Sequence, residues 1–182
     1  MEQLTTIGWT SISTAKSNPA PGLLAIWNLR DLMARWLQTD ASFGAQDGQS
    51  SEQPAPVVYS DNLPGQLMHA FESLAVVASE SMQHQSAAEV YRTFATLLGR
   101  MPPALRRETE GVVLRSLAGL GDHVLTKELD DSLSTLFAAL EAAGHAQCAG
   151  AVDAASRQLR ASTGRLNSRS TRTSASERAS KT

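Results

Sequence analysis

Apolar residues recur about once per helical turn between residues 61 and 161, a spacing typical of amphipathic helices. Proline and glycine interrupt the pattern near Pro102, Gly119 and Gly144, where helices are expected to begin or end. No segment of this part of the chain alternates apolar and polar positions with many β-branched residues, so no sheet is expected there. The pattern therefore predicts an all-α fold: an antiparallel helical bundle of about five helices over residues 61–161.

A short helical-hairpin solenoid is the alternative architecture. Helical hairpins would begin near residues 64, 103 and 145, at a spacing of about forty residues that resembles a two-helix repeat. Pro64 and Pro103 correspond, but the residues after them do not align, and the Trp-Leu-Gly-Tyr pattern of tetratricopeptide units is absent. The bundle is therefore preferred.

Capping residues predict where several of these helices start. The candidates are Asp61 or Asn62 for the first helix, Ser86 with Glu89 at capping-box spacing for the second, and Asp122 or Thr126 for the fourth.

Residues 22–38 predict a further amphipathic helix ahead of the bundle, with a broad apolar side that includes two tryptophans. Its candidate partner-binding residues are Leu23, Ile26, Trp27, Met33, Trp36 and Leu37. Two interpretations of this apolar side are open. It packs on the rest of the chain, as most apolar faces do, or it docks in a groove of a protein partner or of a second copy.

The segments around these helices are polar. Residues 1–21 are rich in Ser and Thr and predict a flexible lead-in that stops at a Pro-containing turn. Residues 39–60 are rich in Gly, Gln, Ser and Pro and predict a linker that tethers the 22–38 helix to the bundle. Residues 162–182 contain one large apolar residue, Leu166, so they predict a disordered tail.

Charge is distributed unevenly, although the net charge of the chain is only −2. Residues 61–144 carry six basic and eleven acidic residues, whereas residues 145–182 carry seven basic and two acidic residues. The candidate tail contacts are Arg165, Arg169, Arg172 and Arg178, which could neutralise phosphates without reading sequence, or bind an acidic partner. Weak nucleic-acid contact through the tail is therefore an alternative function.

Catalytic and metal-binding patterns are hard to find in this chain. His145 and Cys148 could share a helical face, but a small buried cysteine is the commoner role. Glu108 and Glu110 are two residues apart and so do not face one another on a helix. No zinc, calcium-loop, phosphate-loop or nucleophile-elbow spacing occurs. We expect no catalytic residue, no metal ligand and no cofactor.

The remaining sequence features concern location. The single cysteine cannot form an internal disulfide, and no apolar run is long enough to span a bilayer. The first residues lack the basic and apolar regions of a cleaved signal peptide. These features predict a cytoplasmic protein without a membrane span. Export by a dedicated secretion system, as an effector-like protein without a cleaved signal, is the alternative.

Together these observations predict a non-enzymatic protein–protein interaction module. A bacterial adaptor, a chaperone-like protein or an assembly accessory protein would each fit. The expected partner is a protein or a second copy of the chain.

Overall fold

The computed structural model describes residues 2–14, 19–44 and 62–163. Within these ranges the α-helices are α1 (Glu2–Thr14), α2 (Ala20–Gly44), α3 (Leu63–Glu80), α4 (His84–Leu97), α5 (Pro103–Leu117), α6 (Lys127–Ala142) and α7 (Ala146–Thr163). Two 3₁₀ segments, Leu98–Arg100 and Ala118–Asp122, follow α4 and α5. The described residues contain no strand, so the predicted all-α fold is confirmed.

Helices α3 to α7 are the five helices that periodicity predicted for residues 61–161. The most extensive packing joins α4 to α6, which are not neighbours in sequence. Helix α4 also packs on α2 and α3, while α7 packs on α5 and α6. These contacts surround α4 with three helices, as in the predicted bundle.

The core lies around α4. Val90, Tyr91 and Phe94 are at most 1% exposed, and the Phe94 ring meets Phe71 of α3 edge-on at a centroid distance of 5.6 Å. The other helices contribute fully buried leucines at helical spacing, including Leu67, Leu74, Leu129, Leu133, Leu136 and Leu140. Burying one such side chain is worth about 1.5–3 kcal/mol, so this layer is the main source of stability.

Local capping signals place several of these helix ends. Asn62 Oδ1 accepts a hydrogen bond from the Gly65 amide at 3.1 Å, and Thr126 Oγ1 accepts one from the Leu129 amide at 3.3 Å. Both were candidate caps, and each satisfies an amide that the first helical turn leaves without a backbone partner.

The predicted capping box at Ser86 and Glu89 is wrong. Helix α4 begins at His84, so both residues lie inside the helix, where both are buried. The reason is the tight turn after α3: the Gln83 amide donates to the Ala78 carbonyl at 2.9 Å, and Met82 adopts a left-handed φ of 52°. This turn lets α4 start immediately.

The prediction of a flexible lead-in over residues 1–21 is wrong for Glu2–Thr14, which form α1. This helix packs on α2 and α3, and Ile12 is 2% exposed. A Cβ added at Gly8 would lie 3.0 Å from Ala25 and from Leu74, so the absent side chain permits close approach. Because Ser and Thr residues surround these positions, the small face through which α1 packs is not evident from the sequence.

The expected linker over residues 39–60 also begins too early, because α2 continues to Gly44. Helix α2 packs against α1, α3 and α4, and so lies on the bundle itself. The remainder of that linker lies outside the described residues, as does the tail from residue 164.

Candidate functional site

The predicted partner-binding residues of α2 divide into two groups. Ile26 and Met33 are fully buried and Leu37 is 5% exposed, so these three belong to the core of this chain and are not available to a partner. The prediction of partner contact is therefore wrong for them. Leu23 and Trp36 are half-buried. Ile26, Met33 and Leu37 are buried because α2 presents its apolar stripe to α3 and α4, which is the first of the two interpretations given above.

Trp27 is the exception, since 41% of this residue is exposed. It shares the outer side of α2 with Leu24, three residues earlier, which is 55% exposed. Helix α1, which packs beside α2, exposes Ile7 and Trp9 at 54% and 50%. Because Ile7 and Trp9 are two residues apart on α1 and so lie on different sides of it, we call Leu24 and Trp27 alone the outer apolar face. The sequence pattern singled out only Trp27 among them as a candidate contact.

Charged contacts hold α2 in the position that creates this face. The Glu89 carboxylate, with its side chain 7% exposed, accepts from Arg30 Nη1 at 3.2 Å and from Arg92 Nη1 at 2.6 Å. Arg100 Nη2 donates to the Ala34 carbonyl at 3.2 Å. The helix is thus fixed to α4 and to the 3₁₀ segment after it at separate points.

His145 and Cys148 both contact Glu110 of α5. His145 Nδ1 lies 3.2 Å from Glu110 Oε2, and Cys148 Sγ lies 3.9 Å from the Glu110 carbonyl oxygen. Burial, together with the Glu110 carboxylate, raises the pKa of the Cys148 thiol to about 11. A thiol so far from its thiolate form at neutral pH is a poor nucleophile. Both residues pack α7 against α5.

Glu108 and Glu110 diverge, as their spacing predicted. Glu110 contacts His145 on α7, whereas Glu108 lines a shallow groove between α3 and α5. In that groove the Glu72 carboxylate accepts from Arg115 Nε at 2.6 Å. The two acids of α5 therefore lie against different neighbouring helices.

The buried hydroxyls form a structural network. The Tyr91 hydroxyl donates to Ser116 Oγ at 3.0 Å, and Ser116 Oγ donates in turn to the Val113 carbonyl at 2.9 Å. Burial raises the pKa of Tyr91 to about 12, against the opposing effect of its hydrogen bonds with Ser116 and Ser79. These hydrogen bonds satisfy polar groups that are buried in the core.

The structure brings together two histidines that the sequence did not connect. His84 Nδ1 lies 3.0 Å from His123 Nδ1, with the rings edge-on at 75°. His123 is fully buried, and its Nε2 lies 2.8 Å from the Ser79 carbonyl oxygen. Burial, and then the proximity of His123, lower the pKa of His84. The two residues are 39 positions apart in the sequence, and no local sequence motif predicts their contact.

The other candidate sites lie outside the structure or are absent from its described part. Arg165, Arg169, Arg172 and Arg178 all fall beyond residue 163, outside the described ranges. Among residues 2–14, 19–44 and 62–163, no three His, Cys, Asp or Glu side chains converge as a metal site would require. None of the described helices combines the length and the apolar character needed to cross a bilayer.

The chain matches no protein-family model, no curated protein and no solved structure.

Proposed function

We propose that this protein is a non-enzymatic interaction module that binds a protein partner through the outer apolar face. The observation that carries the proposal is the exposure of Trp27 beside the exposed Leu24 on the side of α2 that faces away from the core. Tryptophan is the residue most enriched among binding hot spots, because one side chain removes a large area from water.

The arrangement on α2 favours a partner that accepts a helix face. Leu24 and Trp27 lie about one helical turn apart, and Asp31 and Arg35 continue the same exposed side. Apolar anchors followed by charged residues resemble the anchor and rim of an interface. An apolar groove on the partner, with polar groups at one end, would complement this side of α2.

The polar clusters of the described residues support a role without catalysis. Cys148 is buried with a raised pKa, Glu108 and Glu110 point to different helices, and the Tyr91 hydroxyl is engaged within the core. A bacterial adaptor, a chaperone-like factor or an assembly accessory protein, acting in the cytoplasm, would use such a surface. Nucleic-acid contact through the basic tail and export as an effector-like protein stay alternatives that rest on sequence alone.

The experiment compares three baits: the wild-type chain, a Leu24→Ser/Trp27→Ala variant, and Leu114→Ser as a matched control. Leu114 is an apolar residue on α5, 40% exposed, outside the outer apolar face. Each bait is incubated with extract of the source cell, and the bound proteins are identified by mass spectrometry. Light scattering of each purified chain measures self-association in parallel.

We expect one partner, or a second copy of the chain, to bind the wild type and the Leu114→Ser control and to be lost from the double variant. Exposed anchors of this kind cost at least about 1–2 kcal/mol of binding free energy when truncated, roughly a tenfold or greater loss of affinity. Equal recovery on all three baits, or a monomer that retains no protein, would contradict the proposal.

A further inference from the structure

The protonation of the His84–His123 pair follows from its hydrogen-bond partners. The Ser79 carbonyl can only accept, so His123 Nε2 carries a proton and donates it at 2.8 Å. A neutral His123 then presents a lone pair at Nδ1. Because the two Nδ1 atoms are 3.0 Å apart, one proton lies between them, and it belongs to His84.

Whether the hydrogen bond between the two rings persists therefore depends on how many protons the rings carry. With both rings neutral, the Nδ1–H group of His84 donates to the lone pair at His123 Nδ1. A proton added at His84 Nε2 leaves this hydrogen bond intact. When both rings are charged, two N–H groups face one another at 3.0 Å and neither can accept. That state combines lost hydrogen bonding with the repulsion of two like charges in a partly buried place.

The pair also lies at a mechanically important point of the fold. Ser79 belongs to the last turn of α3, and its carbonyl also accepts from the Met82 amide at 3.2 Å. Met82 occupies the left-handed region at φ 52°, which favours glycine, so the turn between α3 and α4 carries strain. His123, which follows the 3₁₀ segment Ala118–Asp122, is joined to this turn by its hydrogen bond to the Ser79 carbonyl.

We propose that His84 and His123 form a proton-operated latch. With no more than one ring charged, the pair holds the α3–α4 turn against the connection that leads to α6, and acidification that charges both rings releases this end of the bundle. The inference concerns a site other than the outer apolar face and does not rest on the proposed function.

The charges around the pair decide the direction of the response. Glu128, in the first turn of α6, is the charged residue among those lining the groove beside His84, and its carboxylate would favour protonation. Glu80, at the end of α3, is exposed. Burial and the neighbouring His123 disfavour protonation of His84. Their effect is larger than that of Glu128, since the pKa of His84 is lowered.

A lowered pKa in the folded state has a definite consequence for stability. The unfolded chain, with a histidine pKa of about 6.5, then binds more protons than the folded chain on the acidic side of neutrality. The stabilisation is complete above that unfolded pKa and is lost as the pH falls below it. Each unit by which folding lowers the pKa changes the unfolding equilibrium by about tenfold.

The test uses His84→Asn in the full-length chain. An asparagine side-chain amide can donate from nearly the position of Nδ1 but does not titrate in this range. His69→Asn is the control, because His69 is an exposed histidine of α3. Urea unfolding of the three chains is followed from pH 8 to pH 5, and hydrogen exchange is measured across residues 79–84 and 123–126.

We expect the wild type and His69→Asn to lose stability below about pH 6.5, with faster exchange in those two segments, and His84→Asn to lose clearly less. Equal pH dependence in all three chains, or exchange at residues 79–84 that does not change with pH, would overturn the latch. An NMR titration of the unaltered protein keeps the test valid if the variant does not fold. A midpoint for His84 at or above about 6.5, the ordinary value for a histidine, would also overturn it.

Discussion

At the scale of single residues, the buried thiol of Cys148 and the buried carboxylate of Glu89 make contacts between helices. Cys148 is fully buried in α7, with its sulfur close to the α5 backbone. Its raised pKa has the sign expected of an acid whose charged form is excluded from water. The neutral thiol is thus part of the native state.

We expect Cys148 to be alkylated by iodoacetamide at pH 8.5 about a hundredfold more slowly in the native protein than in guanidinium chloride. A pKa of about 11, against the ordinary thiol value of 9.0, reduces the thiolate fraction by roughly this factor, and burial slows access further. Mass spectrometry of timed samples measures both rates. Because the folded pKa is raised, stability from this group is present below about pH 9 and declines as the pH rises towards 11. Similar alkylation rates in the two conditions would contradict the buried position.

Glu89 shows how one buried charge is satisfied by two helices. Its carboxylate receives Arg30 from α2 and Arg92 from its own helix. Because both arginines are partly exposed, solvent weakens these contacts relative to a fully buried pair.

We expect Glu89→Gln to lower the free energy of unfolding by about 1–2 kcal/mol, since the amide keeps the shape but removes the charge that both guanidinium groups need. The matched control is Asp153→Asn, which breaks an exposed pair with Arg157 on α7 and should change stability by less than about 0.5 kcal/mol. Urea denaturation measures both. Equal effects of the two variants would refute the special role of Glu89.

At the scale of elements, two helices end in the same type of turn with different residues at its critical position. Gly144 follows α6 at φ 81°, and Met82 follows α3 at φ 52°. In each turn the next amide reaches back to the helix: His145 to the Leu140 carbonyl, and Gln83 to the Ala78 carbonyl, both at 2.9 Å. Only glycine adopts this backbone conformation without strain.

Opposite substitutions at these two positions should have opposite effects. We expect Met82→Gly to raise the free energy of unfolding by about 0.5–1 kcal/mol, because relief of strain exceeds the added entropy of the unfolded chain. Gly144→Ala should lower it by about 1 kcal/mol. Thermal unfolding measures both changes. Loss of stability in Met82→Gly would show that its side chain, although 55% exposed, packs usefully in the turn.

At the scale of the whole molecule, α1 and α2 complete the bundle as a covering pair. A Cβ added at Gly8 of α1 would lie 3.0 Å from a side chain of α2 and from one of α3. All three tryptophans of the chain lie on these two helices, so tryptophan fluorescence reports on the pair while circular dichroism reports on all helices.

We expect Gly8→Val to lower the free energy of unfolding by about 1–3 kcal/mol, since the new side chain would collide with Ala25 and Leu74. Gly150→Val on α7 is the control, because nothing lies within 4 Å of a Cβ placed there. Fluorescence should change before circular dichroism on unfolding of the first variant. Coincident and unshifted transitions in both variants would show that α1 does not pack as described.

Most of the helices could be predicted from the sequence, because the periodicity of leucines and alanines, the caps at Asn62 and Thr126 and the glycine at 144 all act within a few residues. Helix α1 could not, since its contact face depends on the absence of a side chain at Gly8. The candidate surface was predicted only in part. Trp27 was identified, whereas the pairing of α2 with α4 decided that Met33 and Ile26 are buried.

The sequence by itself determined most of the helical stretches of the described residues and where several of them are capped, because helix formation depends on residues up to about four positions apart. Only the tertiary structure decided which faces cover one another. The Arg30–Glu89 and His84–His123 contacts join residues 59 and 39 positions apart. Apolar stripes of similar width can pack in many combinations, and three-dimensional complementarity of shape and charge selects among them.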